Sequence, residues 1–187
     1  MAQPSTIYRV GIQLSDIDRG LYETLQITVA RHPSETEERL LARILAYALY
    51  YEPELTFTKG VGAGDEPDLW SKGPDGRVRC WIEVGLPDAE RLVKASRHSE
   101  QVVLCACGSS LPVWEKQQLP KLADQKGVLN VNLVQLKQTD ADVYEARAIR
   151  RLESRAELLT SVQPTGIGRP AHRRCEPSDR NRTSGRG

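Results

Sequence analysis

The chain has 187 residues, with 26 Lys plus Arg, 25 Asp plus Glu and four Cys, which suits one compact domain with an appended segment. The total charge of +1 does not indicate a nucleic-acid or membrane-surface protein, and no apolar run reaches membrane-spanning length. The cysteines have neither zinc-ligand spacing nor the pattern of a secreted disulfide framework, and the N-terminus lacks a signal peptide, so we expect a cytoplasmic protein with reduced thiols.

The first part of the chain predicts an antiparallel hairpin followed by a helix. Residues 7–14 and 21–30 alternate apolar and polar side chains as strands do, on either side of the turn-rich sequence SDIDRG. The next segment, SETEERLLARILAYALYY, starts with Ser34 and Glu37 at capping-box spacing and repeats apolar residues at helical intervals. We therefore predict two strands and then a helix that buries one face.

A second strand pair, a helix and further strands are predicted after this helix. DEPDLWSK and RVRCWIEV flank the GPDG sequence of residues 73–76, which suits a type I turn. Asp88 is placed to cap a helix over about 89–100. The apolar run VVLCAC then predicts a strand covered on both faces, SSLPVWEKQQLPKLADQKG is helical in part, and VLNVNLVQL predicts another strand. The predicted fold class is α/β (α+β), with a mixed β-sheet flanked by helices.

The end of the chain differs from the rest in composition. The regular pattern weakens from Tyr144, and ARAIRRLESRAELL predicts a charged helix within residues 144–163. Residues 164–187 contain six Arg against two acidic residues, a surplus of four positive charges that leaves the preceding 163 residues at −3. Their low apolar content predicts a flexible, basic tail. We therefore predict a folded domain over 1–143, a charged helix over 144–163 and a tail over 164–187.

One carboxylate, Glu83, lies inside the apolar run CWIEVGLP, where burial without a partner costs several kcal/mol. If the loop spans only the GPDG turn, Lys72 pairs with Arg77 across the strand pair. This register places Glu66, Asp68 and Glu83 on one face of the pair. Three converging carboxylates repel one another, so either at least one is protonated or a cation sits among them. The alternative is that these acids are solvated side chains beside a turn, separated by a one-residue change of register.

Four stretches between residues 30 and 96 resemble a known family. ARHPSETEERLLARIL, FTKG, DEPDLW and WIEVGLPDAERLVKAS are similar, in this order, to the YaeQ family of bacterial proteins. Within them, Pro67-Asp68 followed by Glu83-Val84-Gly85 resembles the motif of the PD-(D/E)XK nucleases. The resemblance implies a restriction-endonuclease-like core with an N-terminal β-hairpin.

The resemblance also implies a metal site. Asp68 and Glu83 match the acids that bind Mg²⁺ in this superfamily, with Mn²⁺ as the other candidate ion, and the carbonyl of Val84 matches a third ligand. Glu66 is a further candidate ligand on the same strand pair. The superfamily normally has a lysine two residues after the glutamate, where this chain has Gly85. Because that lysine assists the attacking water and neutralises phosphate charge, its absence leaves catalysis open.

Lys94 is the candidate replacement for the missing lysine. It lies six residues after Asp88, about 9 Å along the predicted helix, and helical side chains lean toward the N-terminus. Some nucleases of the superfamily take this lysine from the following helix, and YaeQ-like sequences resemble this chain in carrying Lys94 before Ala95. Equally, Arg91, Lys94 and His98 form the solvated face of an amphipathic helix.

Two functions follow from these observations. The first is a Mg²⁺-dependent phosphodiesterase acting on nucleic acid, in which Asp68, Glu83 and Glu66 hold the metal and Lys94 orients water. The second is a catalytically inactive protein with the nuclease fold that binds another protein, one connected with transcription. Gly85 and the mildly acidic domain favour the second, because phosphate binding normally needs a basic surface. Neither function involves a membrane partner.

Overall fold

The structure is a computed structural model that describes residues 4–59, 64–123, 130–140 and 143–153. These residues form eight strands and three helices in a mixed α+β arrangement with two sheets. In chain order the elements are β1 (Thr6–Asp16), β2 (Leu21–Arg31), α1 (Glu37–Leu49), β3 (Thr56–Phe57), β4 (Leu69–Lys72), β5 (Val78–Val84), α2 (Ala89–His98), β6 (Ser99–Ala106), α3 (Leu111–Ala123), β7 (Asn130–Asp140) and β8 (Val143–Glu153). None of the helices among these residues has the length and apolar character needed to cross a bilayer.

β1 and β2 form the predicted N-terminal hairpin, an antiparallel pair that makes a sheet of its own. Two arginines link this hairpin to α1 and the residues before it. Arg31 donates through Nε to the carbonyl of Glu35 at 2.9 Å, and Arg43 donates through Nη1 to the carbonyl of Ala30 at 3.2 Å. The hairpin is therefore fixed next to the first turn of α1.

The main sheet has the strand order β3-β4-β5-β6-β7-β8, with β5, β6 and β7 parallel and the other neighbours antiparallel. Helices cover both of its faces, which confirms the predicted mixed sheet flanked by helices. One core cluster lies between the sheet and α1, and it includes Ala42, Ala46, Leu69, Ile82 and Val103. The other lies between the sheet and the helices α2 and α3, and it includes Trp81, Leu92, Leu104, Trp114 and Leu133.

Side-chain caps set the start of the first two helices. The hydroxyl of Thr36 accepts from the backbone N–H of Arg39 at 3.2 Å, so the cap of α1 lies two residues after the predicted cap at Ser34. Asp88 caps α2 as predicted, accepting from the N–H of Arg91 at 2.8 Å. These caps fix which α1 and α2 residues stand at the carboxyl end of β5.

The register of β4 and β5 differs from the prediction. Lys72 pairs with Val78, not with Arg77, and a bulge lies between Ser71 and Lys72. The cause is the turn, in which the N–H of Gly73 bonds to the carbonyl of Arg77 and Gly76 has a φ of 79° that favours glycine. The turn and the bulge together shift the pairing by two residues. Asp68 consequently lies beside Ile82 and Val84, not opposite Trp81 as the four-residue loop predicts.

The predicted charged helix over 144–163 is wrong for its first ten residues. Residues 143–153 are strand β8, which pairs with β7 from Asp140↔Val143 to Asn130↔Glu153. This pairing satisfies the backbone groups along the edge of β7, and an isolated charged helix would leave that edge open. The predicted domain boundary at residue 143 is therefore also wrong, because β8 belongs to the main sheet. Residues 154–163 and the predicted tail lie outside the described residues.

Candidate functional site

A pocket of about 460 Å³ opens at the carboxyl end of β5, between α1, α2 and the segment before β4. Its lining brings together the three acids predicted for the site. The residues on which its chemistry depends are Arg39, Glu66, Asp68, Glu83, Gly85 and Arg91.

Asp68 is the most enclosed acid of this pocket, with 2% of its side chain exposed. The Arg39 Nη2 lies 2.8 Å from each of its two carboxylate oxygens, and Arg43 Nε lies 3.5 Å from Oδ1. The backbone N–H of Val84 donates to Oδ2 at 2.8 Å. Asp68 therefore has its charge neutralised by arginine and its lone pairs occupied by protein donors.

The same arginines neutralise a second buried acid, Glu35, whose side chain is 0% exposed. Arg39 Nη1 lies 2.8 Å from Oε1 of Glu35, and Arg43 Nη1 lies 3.0 Å from Oε2. Burial alone would lower the pKa of Arg39, but the carboxylates of Asp68 and Glu35 outweigh burial and raise this pKa. Two acids and two arginines thus form a charge-balanced network beneath the pocket.

Glu83 has a separate partner on α2. Its Oε1 accepts from Trp81 Nε1 at 2.7 Å and from Arg91 Nε at 2.9 Å. Burial raises the pKa of Glu83, and the bonds from Trp81 and Arg91 oppose this shift. Arg91 also donates to the carbonyls of Gly64 at 2.6 Å and Glu66 at 2.7 Å, so it holds the pocket rim against α2. An arginine therefore compensates the carboxylate that the sequence places in an apolar strand.

The donor set that the nuclease motif implies for a metal is Asp68, Glu83 and the carbonyl of Val84. Arg39 Nη2 bonds to both oxygens of Asp68 and lies 3.1 Å from the Val84 carbonyl oxygen. Its guanidinium thus lies between Asp68 and the Val84 carbonyl, where a divalent cation bound to both would have to lie. No group of three or more His, Cys, Asp or Glu able to hold a metal ion occurs within the described part of the chain. With Arg39 in place, these residues do not fit Mg²⁺.

The structure does not bring Lys94 to the carboxylates. Its side chain is 59% exposed, and Nζ lies 2.5 Å from Oδ1 of Asp65, whose side chain is 85% exposed. Arg91, one helical turn closer to the start of α2, makes the contact with Glu83 instead. Glu66 lines the pocket, but its described bond is the one from Arg91 to its backbone carbonyl.

Gly85 occupies the motif position of the missing lysine, and its backbone explains the absence of a side chain. Its φ of 108° lies in a region that L-amino acids rarely adopt. A Cβ placed there would lie 3.7 Å from Arg39 Nε. The cationic group near this position therefore comes from α1, not from β5.

Sequence reasoning missed Arg39 and Arg91. The available signal for the first was the four-residue spacing of Glu35, Arg39 and Arg43, which aligns ion-pairing groups along one helix face. The signal for Arg91 was its position three residues after the cap Asp88, at the same strand end as Glu83.

Comparison with known proteins gives a consistent family match. A family model described as YaeQ protein matches residues 1–161. Over 124 residues the chain is 40% identical to the protein named "Uncharacterized protein YaeQ" of Salmonella typhi, covering 66% of this chain and 68% of that protein. The Escherichia coli K12 protein of the same name is 38% identical over 122 residues, covering 65% of this chain and 67% of that protein.

Two solved structures are similar to this one. The crystal structure of YaeQ protein from Pseudomonas syringae is 50% identical with a TM-score of 0.67, and the match covers 72% of this chain and 73% of that chain. The crystal structure of the YaeQ protein from Xanthomonas axonopodis pv. citri is 36% identical with a TM-score of 0.65, and the match covers 72% of this chain and 75% of that chain. The family resemblance is confirmed, whereas the likeness to the PD-(D/E)XK superfamily stays a prediction.

Proposed function

This chain belongs to the YaeQ family. We propose that it is a catalytically inactive binding protein that cleaves no nucleic acid. The residues of its nuclease-like motif form a structural ion-pair network. The observation that carries this proposal is the contact of Arg39 with both carboxylate oxygens of Asp68 and with the Val84 carbonyl. These are the oxygens that the motif would present to a metal.

Electrostatic repulsion explains why the Arg39 contact opposes metal binding. Two unit charges 4 Å apart interact by about 4 kcal/mol near a protein surface, so a divalent cation beside the Arg39 guanidinium is repelled by about 8 kcal/mol. A metal would therefore have to displace Arg39 before it could use Asp68. Displacement leaves Asp68 with Arg43 Nε at 3.5 Å as its remaining arginine contact. The ion-pair network thus opposes metal binding.

The position of Lys94 supports the same proposal. A phosphodiesterase of the predicted type needs a cationic group at the attacking water, and Lys94 is exposed and paired with Asp65. Gly85 has no side chain to supply this group. The two arginines that line the pocket are both ion-paired, Arg39 with Asp68 and Arg91 with Glu83.

A second candidate function is the Mg²⁺-dependent phosphodiesterase predicted from the sequence. The observation that favours it is that Asp68, Glu83 and Glu66 line one open pocket. It requires Arg39 to leave the carboxylates when metal and substrate bind.

Calorimetric titration with Mg²⁺ and Mn²⁺, combined with cleavage assays on plasmid and single-stranded substrates, separates the two functions. The binding protein is expected to show no specific heat of metal binding and no cleavage. Metal binding and cleavage by the wild type, both lost in Glu83→Ala, would instead establish the phosphodiesterase. Lys94→Ala serves as the control for the predicted catalytic lysine, since cleavage that survives it excludes Lys94.

A further inference from the structure

The two ends of the main sheet differ in charge. Because β5, β6 and β7 are parallel, their amino ends lie together, at the end of the sheet opposite the pocket. The turn between β4 and β5 and the last residues of α2 meet at this end. We call this surface the basic end, and it consists of Lys72, Arg77, Arg79, Arg97 and His98.

Strand pairing and side-chain contacts bring these residues together. Val78, at the start of β5, pairs with Ser99, which directly follows the last residues of α2. A Cβ on Gly73 would lie 3.4 Å from Cδ of Arg79, so the Arg79 side chain lies over the turn. Lys72 Nζ stands 3.7 Å from the centre of the Trp70 ring, a cation–π contact that positions the ammonium on the surface.

The local charge balance is positive. Four residues of the basic end carry permanent positive charge, and Asp75 and Glu100 are the acids beside them in the described turn and strand. Arg77 has 84% of its side chain exposed, and its ion pair with Asp75 has a long N–O distance of 3.4 Å. Such a pair holds Arg77 only weakly, so its guanidinium remains available to a stronger acceptor.

Further basic residues stand at the same end of the sheet. Lys121 lies in the last turn of α3, the helix that leads to the amino end of β7. Arg150 and Arg151 occupy β8 positions opposite Leu133 and Asn132, near the amino end of β7. From β4 to β8 there are four strand spacings, about 19 Å in all. Basic residues therefore occupy backbone positions near this end of the sheet from β4 to β8.

We propose that the basic end binds the phosphate backbone of a nucleic acid. The proposal rests on the binding role proposed above and names the class of partner. A width of about 19 Å matches five or six phosphates of one strand at roughly 3.4 Å each. Exposed Lys and Arg on turns and helix ends suit backbone phosphates, which carry no sequence information.

An acidic protein partner fits this surface less well. Protein interfaces depend on buried apolar or aromatic anchors. The large exposed apolar side chains of the described part lie on the hairpin, on α1 and at the start of α3, and not on the turn or α2 end that define the basic end. This surface therefore offers repeated charge without an anchor pocket.

The location also explains binding without cleavage. The basic end and the pocket lie at opposite ends of β5, whose seven residues span about 20 Å. A phosphate backbone held at the basic end is thus kept away from the acidic pocket.

The test is fluorescence anisotropy of the full chain with labelled 20-nucleotide single strands and 20-base-pair duplexes, in EDTA. With about four phosphate contacts to a single strand, raising salt from 50 to 200 mM should lower the association constant about 50-fold. Arg77→Glu combined with Arg97→Glu should weaken binding about tenfold or more, and reduce the salt slope by about 1.4 for single strands.

The matched control is Lys59→Glu combined with Lys116→Glu, which makes the same change in net charge at exposed positions elsewhere. It should weaken binding less than about threefold, because long-range charge effects are screened by salt. Both double variants keep residues 154–187, so the arginines of that segment contribute equally. Unchanged melting temperatures show that both variants fold.

Three results would overturn the proposal: no binding at 50 mM salt, equal losses in the two double variants, or displacement of the nucleic acid by polyglutamate at an equal concentration of charge. Polyglutamate is a carboxylate polyanion that competes for any cationic site, so displacement at equal charge would show that the basic end binds an acidic polypeptide at least as well as a phosphate backbone. Cleavage in Mg²⁺ with binding still dependent on Arg77 and Arg97 would refute the non-catalytic function and leave the surface assignment intact.

Discussion

Replacing Arg39 with methionine tests whether its guanidinium is the resident cation of the pocket. Arg39→Met keeps a long, helix-compatible side chain but removes the bonds to Asp68 and Glu35, whose side chains are 2% and 0% exposed. Breaking a buried pair costs about 3 to 5 kcal/mol. Arg43 still lies 3.0 Å from Glu35 and 3.5 Å from Asp68, so we expect the lower end, about 3 kcal/mol. This corresponds to a fall in Tm of roughly 6 to 12 °C.

The assay is urea denaturation of wild type and Arg39→Met, with and without 10 mM MgCl₂, at ionic strength matched with NaCl. If Mg²⁺ takes the vacated position with a Kd of about 0.1 mM, it should restore about 2.7 kcal/mol to the variant. The wild type should gain nothing beyond the NaCl control. Arg77→Met is the matched control, because Arg77 is 84% exposed and its loss should change stability by less than about 0.5 kcal/mol.

Two results would refute this reasoning. A loss below about 1 kcal/mol in Arg39→Met would show that the guanidinium does not neutralise Asp68 and Glu35. Equal stabilisation of wild type and variant by Mg²⁺ would show that a metal binds without displacing Arg39.

Substitutions at three further positions test the surroundings of Arg39. Because burial raises the pKa of Glu83, the native state holds this proton more tightly than the unfolded chain, and stability falls as pH rises above the ordinary value of 4.5. As the pH rises from 4 to 7, urea denaturation should therefore show Glu83→Gln becoming more stable relative to wild type. A relative loss of stability over this range would contradict a raised pKa of Glu83. Gly85→Ala should lower the free energy of unfolding by about 1 to 3 kcal/mol, because residue 85 has a φ of 108°. Gly85→Lys should lose the same stability without gaining Mg²⁺-dependent cleavage. Cleavage by Gly85→Lys would contradict this expectation. Lys94→Ala should leave Tm unchanged, since Lys94 and Asp65 are exposed, and a clear fall in Tm would give Lys94 a structural role that its contacts do not indicate.

The elements with strong local signals were predictable from the sequence. The N-terminal hairpin follows from alternation, and the start of α2 follows from Asp88, because both depend on residues close in the chain. The strand β8 was missed because its charged sequence has a weak pattern, and its stability comes from pairing with β7. The register of β4 was missed because a bulge next to Lys72 leaves no mark in the hydrophobic pattern.

The site was predictable in its acids but not in its cations. The apolar sequence around Glu83 shows that a buried carboxylate needs compensation, and burial of Glu83 bears this out. Which cation supplies it depends on where α1 and α2 lie over the strand ends, a tertiary property. Arg43 shows the difficulty, because a residue type that is usually exposed is 1% exposed here.

Helix electrostatics accounts for part of the charge difference between the two ends of the sheet. Asp88 and Glu90 at the start of α2, and Arg97 and His98 at its end, each oppose the partial charge of the helix terminus beside them. This effect requires no ligand. It does not apply to Lys72, Arg77 and Arg79, which belong to a strand pair and its turn. Their positive charge is what the helix cannot explain, and a single Arg77→Glu should therefore weaken nucleic-acid binding more than a single Arg97→Glu in the same anisotropy assay. The reverse order would assign the charge of this end to helix stabilisation.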